Sequence, residues 1–172
     1  RLIHIQNAVQ HLTNTIDVGT LTDEQHSGIV NVMNNGVSII TGSPGTGKTT
    51  VINALCNLAD VNNIQVALLA PTGMAARRMR DTSGREATTI HSFLRHPKIT
   101  KDTIIIMDES SMVSTNLMHT LLSKLKVRCR IVFVGDVHQL PSIDYGQILN
   151  DLIMSEQFPV TRLTKTFRFG DD

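Results

Sequence analysis

The sequence predicts an α/β domain with a parallel sheet and helices over both faces. Three observations predict it. Uniformly apolar runs such as Thr103-Ile104-Ile105-Ile106-Met107 have the character of strands buried on two sides. Segments with helical spacing of apolar residues separate these runs, the alternation expected of parallel crossover units. Each apolar run also leads straight into a polar or glycine-containing segment, and sheets of this kind bind ligands at the carboxyl ends of their strands.

The elements follow in order. Leu2, Ile5, Val9 and Leu12 have helical spacing, so residues 1–20 read as an amphipathic lead-in broken at Gly19, and the domain proper as residues 21–172. Thr22 and Gln25 form a capping box opening a helix with Ile29, Val30, Val32 and Met33, which Asn35-Gly36 ends. Val37-Ser38-Ile39-Ile40 is the first strand, and a helix over residues 50–59 follows the glycine-rich loop after it. The second strand covers residues 64–69. A helix at residues 74–80 follows, with Arg77, Arg78 and Arg80 read as a solvated basic face. Residues 88–94 form a short mixed element before the third strand at 103–107. Ser114 N-caps a helix carrying Leu117, Met118, Leu121, Leu122 and Leu125. Arg130-Ile131-Val132-Phe133-Val134 is the fourth strand, a helix runs through Gln147 to Met154, and residues 159–164 are the fifth strand.

Composition narrows the class. With 172 residues, 41% hydrophobic and 18% charged, the chain suits one folded domain with a core. No apolar run approaches the roughly 18 residues of a membrane span and no signal peptide is visible, so an intracellular setting without a membrane partner is expected. The chain begins at Arg1 rather than Met, which reads as a fragment or a trimmed sequence. Its net charge of +1 neither demands nor excludes nucleic acid, since a local basic stripe suffices. Cys56 and Cys129 have no metal-ligand spacing and read as reduced core thiols. Base stacking has few candidates: Phe93, Phe133, Tyr145, Phe158, Phe167 and Phe169.

Chemistry gathers at the strand ends. Gly42-Ser43-Pro44-Gly45-Thr46-Gly47-Lys48-Thr49 is a complete G-x-x-x-x-G-K-[ST] phosphate loop between strand and helix, and Thr50 continues it. Its backbone N–H groups and the helix N-terminus favour phosphate oxygens. Lys48 is placed to reach the β- and γ-phosphates, and the Thr49 hydroxyl to ligate Mg²⁺. Asp108 ends the third strand, as a carboxylate serving Mg²⁺ would, and Glu109 beside it is the candidate for activating water. Gln139, after the fourth strand, is able to hydrogen-bond a phosphate or that water, and Arg168, past the fifth, to offer a forked cation to the γ-phosphate. For Gln25 the capping box accounts for the residue at least as well as a functional role does, and His91 reads equally well as a satisfied polar side chain.

Taken together, these segments resemble the first motor domain of a superfamily 1 DNA helicase of the RecD-like and Dda-like branch. Leu21-Thr22-x-x-Gln25 resembles the Q motif, residues 42–49 motif I, Ala70-Pro71-Thr72-Gly73-Met74-Ala75-Ala76 motif Ia, and Thr89-Ile90-His91-Ser92-Phe93-Leu94 motif Ib. Met107-Asp108-Glu109-Ser110-Ser111-Met112 resembles motif II, residues 135–142 motif III, and Leu163-Thr164-Lys165-Thr166-Phe167-Arg168 motif IV. The resemblance implies a RecA-like P-loop NTPase sheet of five parallel strands, ordered 5-1-4-3-2, with ATP and Mg²⁺ as cofactors. It implies that Gln25 contacts adenine and that Pro71, Thr72, Thr89, His91 and Ser92 line a single-stranded DNA track. It also implies 5′-to-3′ movement and a second RecA-like domain in the same full-length protein, with recombination, repair or replication proteins as partners. Without that domain these residues are expected to bind nucleotide but hydrolyse it poorly. Three departures stand out: Met74 replaces the usual Lys, eight residues (95–102) leave little room for a pin hairpin, and the chain stops after motif IV. The rivals are a vestigial nucleotide- or DNA-binding scaffold, and another P-loop enzyme such as a nucleotide kinase or an AAA-type ATPase.

Overall fold

The structure is a computed structural model that describes residues 21–139 and 146–167. The expected lead-in over residues 1–20 lies outside them. The elements are α1 (Asp23–Asn34), β1 (Val37–Gly42), α2 (Lys48–Val61), β2 (Val66–Ala70), α3 (Gly73–Ser83), β3 (Ala87–Thr89), α4 (Ile90–Arg95), β4 (Ile104–Met107), α5 (Thr115–Lys124), β5 (Arg130–Gly135), α6 (Ile148–Met154) and β6 (Val160–Leu163), with one 3-10 turn, Ser110–Met112. Short polar side chains open many of the helices. Thr22, Thr72, Thr89 and Ser114 each accept a backbone N–H of the first turn, and Thr22 and Gln25 form the full capping box.

The strands form one sheet in the order β3-β2-β4-β5-β1-β6, and every pairing is parallel. The expected order of five strands is therefore present, with β5 between β1 and β4. The sixth strand is an addition: Ala87-Thr88-Thr89 pairs with Leu68-Leu69-Ala70 along the edge of β2. Thr88 and Thr89 belong to what reads in sequence as a mixed element over residues 88–94, because the chain passes from β3 into α4 with no loop between them.

The core explains why both faces are closed. Along a strand, alternate side chains point to opposite faces. Ile104 and Ile106 join Val132, Val134 and Ile40 in one cluster with residues of α1, α2 and α3. Ile105 and Met107 join Ile131, Phe133 and Ile39 in the other, with residues of α4, α5 and α6. Ile104, Ile105 and Ile106 are fully buried, so truncating any of them to alanine costs about 2–5 kcal/mol. Parallel pairing then brings every carboxyl end to one edge. That edge carries residues 42–47, 71–72, 108–109, 136–139 and 164–167.

Candidate active site

The phosphate loop leaves β1 and enters α2 through Gly47, at φ 84 and ψ 25. Gly45 is also left-handed, at φ 81. Such residues turn successive N–H groups to one side, as an anion nest requires. Thr46, nearly buried, donates its hydroxyl to the Ser43 carbonyl at 2.8 Å and braces the loop. Lys48 donates its ammonium to the Gly42 carbonyl at 2.6 Å and to the Ser43 carbonyl at 3.1 Å.

Across the cleft, β4 delivers the carboxylates. The Asp108 N–H donates to Leu69 O at 2.9 Å, holding the strand end against β2. Its side-chain Oδ1 accepts the Glu109 N–H at 2.9 Å. Glu109 itself sits at φ 52 and ψ 40, so the chain turns sharply and two neighbouring carboxyl groups both face the cleft. Burial pushes the Asp108 carboxyl above the usual carboxylate range, against the pull of the Glu109 N–H, Lys48 and Arg78. Burial raises Glu109 as well, and the adjacent Asp108 charge adds to it while Arg78 and Lys48 oppose. A buried acid without a neutralising partner is a place where a cation gains most.

Gln25 reaches the same cleft from α1. It is 1% exposed, its Oε1 accepts the Thr22 N–H at 3.0 Å, and its Nε2 lies 3.5 Å from the Gly47 carbonyl. Capping and cleft-lining are thus combined in one side chain. Beyond β5, Asp136 is buried and its Oδ1 accepts the His138 N–H at 2.9 Å, shaping the turn that presents Gln139. The resulting cleft, about 710 Å³, is lined by Gln25, Pro44, Gly45, Gly47, Lys48, Thr49, Thr50, Arg78, Asp108, Glu109, Gln139 and Phe167. Arg168 lies outside the described residues, as do residues 140–142 of the motif III segment.

Two lining residues were not singled out for this site in sequence. Arg78, on the second turn of α3, donates Nη1 to Glu109 Oε1 at 3.2 Å. The solvated basic face therefore divides: Arg77 pairs with Asp81 at 3.9 Å, Arg80 donates to the Ala87 carbonyl at 2.6 Å, and Arg78 turns to the cleft. Phe167 donates its N–H to Gly45 O at 2.8 Å, and its ring approaches Gly47. Its signals in sequence were its scarcity as an aromatic side chain and its place beside Arg168. The segment is tied down by Glu24, which accepts both the Thr164 N–H and hydroxyl, and those bonds hold its carboxyl below the usual range.

The expected strand track falls together as well. Ala70, opposite Thr89 in register, leads into Pro71-Thr72, and β3 leads into His91 and Ser92, both exposed. Thr72 and Thr89 spend their hydroxyls on helix caps. Met74 is 77% exposed beside them. Residues 96–103 run from α4 to β4 with no strand of their own. Cys56 and Cys129 are free, and burial raises both thiols.

Fold and cleft together define a P-loop α/β domain, with its phosphate loop and paired carboxylates at the carboxyl edge of a parallel sheet. The chain belongs to the AAA domain family, whose model matches residues 20–172. It is 36% identical over 157 residues to the ATP-dependent RecD2 DNA helicase of Deinococcus radiodurans, across 86% of this chain and 22% of that protein. It is 32% identical over 185 residues to the RecBCD enzyme subunit RecD of Mycolicibacterium smegmatis, across 87% of this chain and 33% of that one. Its fold resembles the crystal structure of the Pif1 helicase from Candida albicans, with a TM-score of 0.62, 24% identity, and coverage of 86% of this chain and 40% of the other. The chain thus spans between a fifth and a third of the length of these curated relatives. Among the described residues no helix is long and apolar enough to cross a membrane.

Proposed function

We propose that this chain is the first ATP-binding motor domain of an ATP-dependent 5′-to-3′ DNA helicase or single-strand translocase, working with a second RecA-like domain of the same full-length protein. The observation that carries the reading is the meeting of phosphate loop, paired carboxylates and Gln139 in one cleft, beside the strand ends that bear Pro71, Thr72, Thr89, His91 and Ser92. The names of the RecD-type relatives support it. Recombination, repair or replication proteins are the partner class it brings with it, in an intracellular setting.

In this reading the loop N–H groups and Lys48 hold the β- and γ-phosphates, Lys48 exchanging its contacts with the Gly42 and Ser43 carbonyls for phosphate oxygens. Gln25 and Phe167 flank the adenine end. Thr49 and Asp108 are the oxygen donors for Mg²⁺, and their small number suits an ion that keeps several waters. An ion held by Thr49 and Asp108 would supply positive charge against the phosphate oxygens. Glu109 takes a proton from the attacking water, the water oxygen bonds to the γ-phosphorus, the bond from the γ-phosphorus to the ADP oxygen breaks, and phosphate leaves. Gln139 contacts the γ-phosphate side and reports its loss to the strand track, while Arg168 supplies a further cation. Arg78 holds the Glu109 carboxylate from the helix that Thr72 caps, linking the two sites through one helix.

The test is ATPase activity of the full-length protein with and without single-stranded DNA. Stimulation by single strands is expected. Phosphorylation of a small acceptor would instead mean a nucleotide kinase, and tight ATP binding without turnover a scaffold.

A further inference from the structure

We propose a second DNA-binding surface at the opposite edge of the sheet, taking the phosphate backbone of duplex DNA. Residues 95–102 and 124–130 hold seven of the chain's sixteen Lys and Arg but one of its fifteen carboxylates, so they carry +6 while the remainder carries −5. The near-neutral net charge hides this division. From the first segment come Arg95, Lys98 and Lys101, and from the second Lys124, Lys126, Arg128 and Arg130. All are exposed except the half-buried Arg130.

The fold brings the two segments together. Asp102 donates its N–H to Arg128 O at 2.9 Å, and Arg130 donates to Thr103 O at 2.9 Å. Lys124 donates its ammonium to the Leu94 carbonyl at 2.9 Å. Gln65 clamps the first segment, donating to Lys98 O at 2.8 Å and accepting from Thr100 N at 3.1 Å. The surface is therefore built on a braced turn. It lies at the amino ends of β4 and β5, about 15–20 Å from the ATP cleft at about 3.3 Å per strand residue. Among the described residues none of the seven forms an ion pair with a carboxylate. Asp102 lies within the surface, and Glu86 flanks a groove shared with His96 and Lys98.

A dense, unpaired set of cations matches an anion of high linear charge, and duplex DNA carries one charge per about 1.7 Å. An acidic protein partner would instead call for aromatic anchors at the centre of the patch. The surface offers only Val127, at 39% exposure, with Leu122 at its margin. The inference rests on the reading that the protein works on DNA. It adds a site for the duplex ahead of, or beside, the single strand.

The test is the triple variant Lys101→Gln, Lys126→Gln, Arg128→Gln in the full-length protein, titrated with a blunt duplex across a salt series. We expect weaker duplex binding and a log–log salt slope shallower by about 3, one for each lost phosphate contact. The charge-keeping variant Lys101→Arg, Lys126→Arg, Arg128→Lys should bind as the wild type does, which separates charge from folding. An unchanged affinity and slope overturns the proposal, as does equal loss in the charge-keeping variant or tighter binding to poly-glutamate than to duplex. Stimulation of ATPase by short single strands should persist in the triple variant. Its absence in the wild type would refute the motor reading alone, since duplex binding is read without turnover.

Discussion

Gly47→Ala tests how the phosphate loop is joined to α1. Gly47 lies in the left-handed region, where an L-residue costs about 1–2 kcal/mol. A Cβ at this position would overlap Gln25 Nε2 and would sit 3.5 Å from Phe167 Cε2. Gln25 is 1% exposed and accepts the Thr22 N–H, so it has no space to retreat without giving up that bond. Losing the bond adds about 1 kcal/mol, for about 2–3 kcal/mol in all. At about 2–4 °C per kcal/mol for a domain of this size, the melting temperature should fall by ~4–12 °C. Calorimetry on the variant, with Gly36→Ala as control, reads the difference. At Gly36 nothing lies within 4 Å of an added Cβ and φ is not left-handed. Addition of a non-hydrolysable ATP analogue should stabilise the control and leave Gly47→Ala little changed. If both variants melt within a degree of each other and gain equally from nucleotide, the argument from Gln25 and the left-handed loop is wrong.

Four further outcomes are expected. Lys48→Ala should weaken ATP binding about tenfold to a hundredfold, the loss of a charged hydrogen bond, and abolish ATPase in the intact protein. Glu109→Gln should keep ATP binding while kcat falls by about 10²–10⁴, and normal turnover would sink the assignment of that residue. Arg78→Ala removes an ion pair whose arginine is 65% exposed and whose worth is therefore small. It should lower DNA-stimulated kcat a few-fold with the KM for ATP unchanged, Lys restoring part, and a KM rise with constant kcat would contradict it. Asp108→Asn concerns stability. The folded-state pKa lies above the unfolded one, so the charged form is penalised in the fold. That penalty is absent below the ordinary carboxylate value near 3.9, and grows as pH rises through the folded-state value. Asparagine keeps the acceptor for the Glu109 N–H, so the nucleotide-free variant should melt higher than the wild type at pH 8, with the gain fading toward pH 4. A lower melting point at pH 8 would reverse the sign.

Most of the framework was legible because its signals are local. Ile104-Ile105-Ile106 reads as a two-sided strand without any partner in view, and the phosphate loop is recognisable by its own spacing. Thr22 with Gln25 declares a capping box. β3 was hidden because three residues, two of them threonine, show no period before Thr89 caps α4. Its place as a strand depends on Leu68 to Ala70 beside it. Arg78 was hidden for the same reason at longer range, since Glu109 lies 31 residues along the chain. Side by side in sequence, Arg77, Arg78 and Arg80 are hard to tell apart; Arg77 pairs within α3, and only the packing of α3 against β2 and β3 gives Arg78 and Arg80 their separate partners. Phe167 likewise gains its meaning from Gly45 and Gly47, far upstream.

The backbone of Glu109 bears on how long such a site lasts. At φ 52 the position is one where asparagine or glycine sits with less strain. Glutamate there burdens the fold twice, by its conformation and by a half-buried carboxyl that resists ionisation. A lineage in which this domain only gripped nucleotide would gain stability from drift to asparagine or glycine at residue 109. Under the role proposed for Glu109 in activating water, the glutamate works as a wear mark: its presence at so uncomfortable a place fits a continued demand for turnover, and its replacement in a descendant would be an early sign that such a motor had stopped.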